Sequence, residues 1–528
     1  MYLSSPLHPP PVGRVCFLAL ALACRQAPGV KALLLLGCLV ARCLAFGRAL
    51  PSHFNMINQI QSSNSIFDAV IIGAGWAGLG AAHSLKQNGI DNVLVVEARD
   101  YVGGRSFTSR HFGPDNPLDL GASWIHGAHR NPIQELVKRY DVPFGRAEGG
   151  WKDTAVWYDG GGDLIAPSKM REIKKLRKGF MKYMRRRQKN NEPDTSLESV
   201  VDDYCRAKGI EPGSDEDHAL RWILDAEIVQ EYAAELKDLS LKYWDIDDEL
   251  SGDDSYLAVG NGGGYSSVVQ RYAAGIEANI RLQTKVTKVD YCDANCITLT
   301  CQDAFTGEKC EPIRAKCAIV TLPLGVLKAE SVAFAPELPK SKREAICMLG
   351  SGLMNKVALC WEGMEEDKIF WPMNKEWILH LAPNNADADL ITEFYNPCSF
   401  DPKQRVLIGF VIGEAARTME AMDDAEIADR AVQSLRSIFG EDMVPPPSKV
   451  LVTRWEADEH ARGSYSFQKV NSLEHSRRDL ARPVADGRLH FAGEATDEKF
   501  PATTHGALLS GKRAGRAVVS QLKSKPSQ

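Results

Sequence analysis

The run Asp68-Ala-Val-Ile-Ile72 passes directly into Gly73-Ala-Gly75-Trp-Ala-Gly78, and a helical pattern follows from Leu79 to Asn88. No other feature of the 528-residue chain leaves it less freedom. A buried strand that turns through GxGxxG into a helix predicts a βαβ unit. Gly73 permits the tight turn, Gly75 lets a pyrophosphate approach the backbone, and Gly78 lets the helix pack closely on the strand. Phosphates then meet the positive end of the helix. The next apolar run, Val93-Leu-Val-Val96, ends at Glu97, 24 residues after Gly73. A carboxylate there can accept the hydroxyl protons of an adenosine ribose, so the motif reads as a dinucleotide site.

At 44% apolar and 25% charged, the chain is ordinary globular protein, long enough for two domains. Its net charge is −5, yet none of the 68 acidic residues precedes Asp68, so the remainder is more acidic than the total indicates. That balance speaks against nucleic acid as a partner and is compatible with a cationic ligand. Four of the thirteen cysteines (Cys16, Cys24, Cys38, Cys43) lie in the acid-free N-terminal segment. The others are scattered, with no CxxC pair and no neighbouring histidine, so neither a disulfide framework nor a metal site is expected. The apolar runs Val15 to Cys24 and Ala32 to Val40 are too short to span a bilayer, and Cys43-Leu-Ala45 offers a cleavage site. Residues 1–66 read as a cleaved presequence directing the chain to the secretory pathway or a plastid, with no stable membrane span.

Between Asn131 and about Leu250 the pattern is mostly helical. The basic run Lys169 to Lys189 carries apolar residues at helical spacing and reads as an amphipathic helix with a solvated basic face. Residues 280–320 alternate like strands. Strand patterns dominate again after Leu349, a helix follows around Asp424 to Ile438, and Thr504 to Leu522 reads as a closing helix.

After Glu97 the chain continues Ala-Arg99-Asp-Tyr-Val-Gly103-Gly104-Arg105, placing two arginines on a second glycine turn, a continuation that favours FAD over NAD. With this stretch, and with Gly121-Ala-Ser-Trp124-Ile-His126-Gly, Thr321-Leu-Pro-Leu-Gly-Val-Leu327, Met354-Asn-Lys356-Val, Arg462-Gly-Ser-Tyr465-Ser and Gly493-Glu494-Ala-Thr, the chain resembles the flavin-containing amine oxidases, of the polyamine oxidase or spermine oxidase type. The resemblance implies an α/β fold in which a Rossmann-like FAD-binding domain is interleaved with an α+β substrate-binding domain. The FAD part would comprise residues 67–130, 255–340 and 455–525, and the substrate part 131–254 and 341–454.

Residue by residue, the resemblance implies that Glu97, Arg99 and Arg105 hold the adenosine and pyrophosphate. Val286 would meet the adenine through its backbone, and Glu494, Thr504 and Trp455 would lie near the ribityl chain and ring. The stretch Phe500-Pro-Ala-Thr503-Thr504-His505-Gly506 lacks the cysteine through which monoamine oxidases attach their flavin, so FAD is expected to be non-covalent. Lys356 corresponds to a lysine that holds a water against the flavin, and His126 to a histidine able to bond a substrate nitrogen. Trp124, Tyr465 and Thr503 would form substrate walls. An acid among Glu227, Glu231 and Glu235, of which Glu231 is the central one, would anchor a distal ammonium group; their spacing places all three on one helical face. The expected reaction oxidises spermine, spermidine or acetylated forms with O2, giving an aminoaldehyde, a smaller amine and H2O2, in a monomer or weak oligomer. A histone-lysine demethylase-like oxidase, a catalytically silent flavoprotein and an amino-acid oxidase are the alternatives. No arginine for a substrate carboxylate is evident for the last.

Overall fold

Continuous burial of Ala69 to Ile72 sets the strand Ile66–Ile72 at the centre of the larger sheet in the computed structural model. Ala69 and Ile71 face one core and Val70 and Ile72 the other, which is why this strand reads as an unbroken apolar run. The structure describes residues 66–524 apart from 114–115, 147–153, 191, 247–249, 251–253, 258–262, 277–278 and 382–390. The presequence expectation thus lies outside the described residues. Among the described residues, no helix is long and apolar enough to cross a membrane.

The larger sheet runs in the order Ala333–Ala335, Thr284–Asp290, Ile297–Asp303, Ile313–Val320, Ile66–Ile72, Val93–Val96, Asn279–Arg281. Ile66–Ile72 pairs in parallel with both neighbours, as a βαβ unit requires. One edge of Ile313–Val320 is shared: its first half pairs with Ile297–Leu299 and its second half, in parallel, with Leu489–Phe491. Segments more than 400 residues apart therefore complete one sheet.

The helices Trp76–Gln87 and Thr504–Ser524 cover one face of this sheet and approach through glycines. A Cβ on Gly511 would stand 1.9 Å from the Ala77 carbonyl oxygen, and one on Gly80 2.7 Å from that of Leu508. Gly511→Ala gains about 1 kcal/mol of helix propensity but must separate two packed backbones. A net loss of about 1–3 kcal/mol is expected in urea unfolding, and unchanged stability would mean that the close approach is dispensable.

The smaller sheet runs Lys449–Val452, Met354–Cys360, Val406–Ile412, Glu393–Tyr395, Trp377–His380, Ala155–Tyr158. Ala358, Cys360 and Phe410 pack toward the helices Pro167–Lys189, Leu197–Lys208 and Asp215–Leu224, while Val357 and Leu359 pack toward Asp424–Phe439. Alternation along Met354–Cys360 puts Lys356 on the same face as Ala358, opposite Phe410 in register. The chain is thus an α/β protein with a Rossmann-like sheet and a second, interleaved α+β layer.

Candidate functional site

A cavity of about 760 Å³ starts at the Gly73–Gly75 turn and extends to Lys356, Phe410 and Tyr465 on the smaller sheet. At its nucleotide end, Gly73 adopts φ +105° and Gly75 leaves open space where a Cβ would project. At Gly78 a Cβ would fall 1.9 Å from the Gly73 carbonyl, so only glycine lets the helix begin there. Glu97 is buried at the end of its strand and accepts the backbone N–H groups of Ala74 (2.7 Å) and Arg99 (2.9 Å). Burial raises its carboxyl above the usual value, partly offset by those N–H groups. Val286 lines the same end, beside a bulge that takes Thr287 out of the ladder between Val286 and Lys288. Arg99 is already engaged by Asp458 at 2.7 Å.

Further along, Arg105 donates to the Ser464 carbonyl (2.7 Å) and to Glu494 (3.2 Å). Burial alone would raise the Glu494 carboxyl; Arg105, the Ser466 hydroxyl, Arg477 and the Ala502 N–H together outweigh it and hold it below the ordinary value. Trp455 is buried against this region, its backbone N–H bonded to Asn355. Thr504 Oγ1 lies 3.2 Å from the Tyr265 hydroxyl, which donates to the Trp124 carbonyl.

Lys356 is buried, and its Nζ donates to the carbonyls of Asp119 (2.9 Å) and Gly121 (2.7 Å) and to Ser123 Oγ (2.7 Å). Burial pulls its pKa down to about 8, opposed by the negative charge of Asp119. Burial pushes Asp119 in turn up to about 6, against hydrogen bonds from Thr108 and the Tyr265 N–H. The lysine therefore pins the turn that carries Trp124 and His126 into the cavity.

His126 Nδ1 stands 2.9 Å from Asp254 Oδ2, whose other oxygen accepts the Gly127 N–H at 2.7 Å. This pairing follows from register, because the short strand Trp124–Ile125 runs antiparallel to Ser255–Leu257 with Ile125 opposite Ser255. Asp254 is held below its ordinary pKa: burial would raise it, and His126 and Gly127 outweigh that. Trp124 stacks on Trp377 at 5.7 Å and meets Tyr395 edge-on at 4.9 Å. Buried Glu376 also lines the cavity, its carboxyl raised by burial against hydrogen bonds from Thr154, Trp124 and Trp377. Tyr465 donates to the Gln230 carbonyl at 3.2 Å. Thr503 spends its hydroxyl on the Phe500 carbonyl and the Gly506 N–H, both at 2.9 Å, so it caps the last helix while lining the cavity.

The three glutamates do not share one face. A π-helical turn over Asp225–Val229 breaks the four-residue register, and Ala233 then adopts a left-handed φ of 48°. Glu227, bonded by Arg177, and exposed Glu231 line the cavity, whereas Glu235 turns away to Lys237 and the Glu414 N–H. Asp119, Asp254 and Glu376 were not singled out from sequence. Asp119 stands two residues before the Gly121 motif, the only local signal any of them gave.

The residues present fit a dinucleotide: an open glycine cradle, a pre-oriented buried carboxylate, and a cavity that continues from them to an acid-lined part. The family model "Flavin containing amine oxidoreductase" matches residues 76–519. Among curated relatives, "Lysine-specific histone demethylase 1 homolog 2" of Oryza sativa subsp. japonica is 33% identical over 85% of this chain and 56% of its own length. "Polyamine oxidase 2" of Arabidopsis thaliana is 30% identical over 84% of this chain and 86% of its own length. The chain thus spans little more than half the length of the demethylase relatives. A solved structure of a redesigned putrescine oxidase double mutant superposes with a TM-score of 0.64, covering 86% of this chain and 99% of that one at 18% identity, which shows a common fold. The chain belongs to the flavin-containing amine oxidoreductase family, and its cofactor is FAD.

Proposed function

We propose that the chain is an FAD-dependent oxidase of polyamines. The observation that carries this reading is the chamber beyond Lys356, where Glu227, Glu231, Asp254 and Glu376 are distributed over walls built from Trp124, Trp377, Phe410 and Tyr465. Spaced carboxylates along an aromatic wall suit a long chain with several cationic nitrogens joined by methylenes.

When bound, FAD supplies the hydride acceptor. Glu97, with the glycine turn, would hold its adenosine end, Arg105 and Glu494 its middle, and Trp455 and Thr504 its inner end. His126, oriented by Asp254, would accept or release a proton at a substrate nitrogen near the chamber mouth. Lys356 would hold a water or proton at the inner wall, while the aromatics exclude bulk solvent. Attachment is proposed as non-covalent, because among the described residues no cysteine lines the cavity. The bland reading, a flavoprotein that has kept the fold without activity, accounts poorly for a lysine buried at 4% exposure and aimed at the motif turn.

An H2O2 assay over spermine, spermidine, their acetylated forms and a dimethyl-lysine peptide tests this directly. Turnover of at least one free polyamine, well above the peptide, is expected. Turnover of the peptide alone would favour the demethylase-like reading that the 33%-identical relatives keep in view, and no turnover of any would sink both.

A further inference from the structure

The helix Pro167–Lys189 holds eleven basic residues and one acid, Glu172, in a chain whose net charge is −5. At about 100° per residue, Arg171, Lys174, Lys175, Lys178, Lys182 and Lys189 fall within about 60° of one line down the helix. All six are exposed. Ile173, Phe180 and Met184 lie on the opposite side, buried in the core, so the helix is fixed and its basic face points outward. Arg177 and Arg187, outside this sector, are neutralised within the protein by Glu227 and by Glu192 and Asp203, and Arg185, inside it, is paired with Asp245. Among the described residues the six of the stripe have no ion pair. The stripe is about 27 Å long at 1.5 Å per residue.

We propose that this stripe is a docking surface for an anionic lipid membrane, on which the protein adsorbs peripherally. The charges are mostly lysines, compact and strongly hydrated, which suit a diffuse anionic plane better than a specific phosphate pocket, where arginine forks predominate. No aromatic side chain lies on the stripe to stack a base, which argues against single-stranded nucleic acid. The apolar side of the helix is committed to the core, so attachment is electrostatic, without insertion. An acidic remainder of the molecule further favours one orientation, with the helix toward the anionic surface.

Co-sedimentation of the full chain with vesicles tests the proposal without any activity readout. The protein should pellet with phosphatidylcholine vesicles containing phosphatidylserine and not with phosphatidylcholine alone. It should be released between about 0.1 M and about 0.5 M salt, as the screening length falls from about 10 Å to about 4 Å. The quadruple variant Lys174→Glu, Lys175→Glu, Lys178→Glu, Lys182→Glu should weaken partitioning at least about tenfold with unchanged thermal unfolding. An equal charge change at the exposed, scattered Lys309, Lys340, Lys368 and Lys403 should leave it nearly intact. Equal loss in both variants, retention in the stripe variant, or tighter binding to polyuridylate than to the anionic vesicles would each overturn the proposal.

Discussion

Lys356→Met is expected to slow amine-driven flavin reduction, or reoxidation by O2, by at least about 100-fold while the flavin spectrum and FAD content stay those of the parent protein. The side chain keeps its volume, so the strand Met354–Cys360 keeps its packing, but the three acceptors at Asp119, Gly121 and Ser123 lose their donor. The pH profile is the finer readout. Burial brings Lys356 to about 8, so the uncharged amine becomes dominant as pH rises through that value, and the parent rate should show an acidic limb there that the variant lacks. Stability carries the same signature. Between about 8 and the ordinary lysine value of 10.5, the unfolded chain holds a proton that the folded chain has released, so this group's contribution to stability rises with pH. Methionine removes that slope. Unchanged rates in both half-reactions would strip Lys356 of its role while leaving the family assignment untouched.

Glu97→Ala should act on the cofactor instead. Removing the carboxylate deprives the ribose of its acceptor and leaves the Ala74 and Arg99 N–H groups without their partner in a buried turn. Two such losses, at about 1–3 kcal/mol each, correspond to FAD binding weakened by about 30-fold or more. Purified variant should be pale, its thermal midpoint should rise steeply with added FAD, and flavin reduction at saturating FAD should approach that of the parent. The parent protein should release free FAD on acid denaturation. Full retention of yellow colour by the variant after dilution and dialysis would show that the carboxylate does not hold the nucleotide.

Local determinants were the ones legible in the chain. The glycine turn, Glu97 and the strands around them are set by neighbours within thirty residues, and periodicity located the helices Pro167–Lys189, Asp424–Phe439 and Thr504–Ser524 closely. The partners of the candidate site were not, because they form across the fold: Lys356 meets Asp119 at a separation of 237 residues, and His126 meets Asp254 at 128. Asp254 is an ordinary acid in an acidic stretch until strand register sets it opposite His126. Glu227, Glu231 and Glu235 show the converse failure: the local rule assumed one regular helix through all three, but the helix ends at Tyr232 and the left-handed Ala233 turns the third acid out of the chamber.

Finally, the helix Thr504–Ser524 lies on Trp76–Gln87, and Leu489–Phe491 closes the sheet begun by Ile66–Ile72. A ribosome emits these partners at opposite ends of a long interval. The cradle for the nucleotide emerges early, but Glu494 and Thr504, which close its inner end, emerge only after the whole second layer has been translated. The cavity lined by the glycine turn is therefore complete only once the C-terminal segment has been translated.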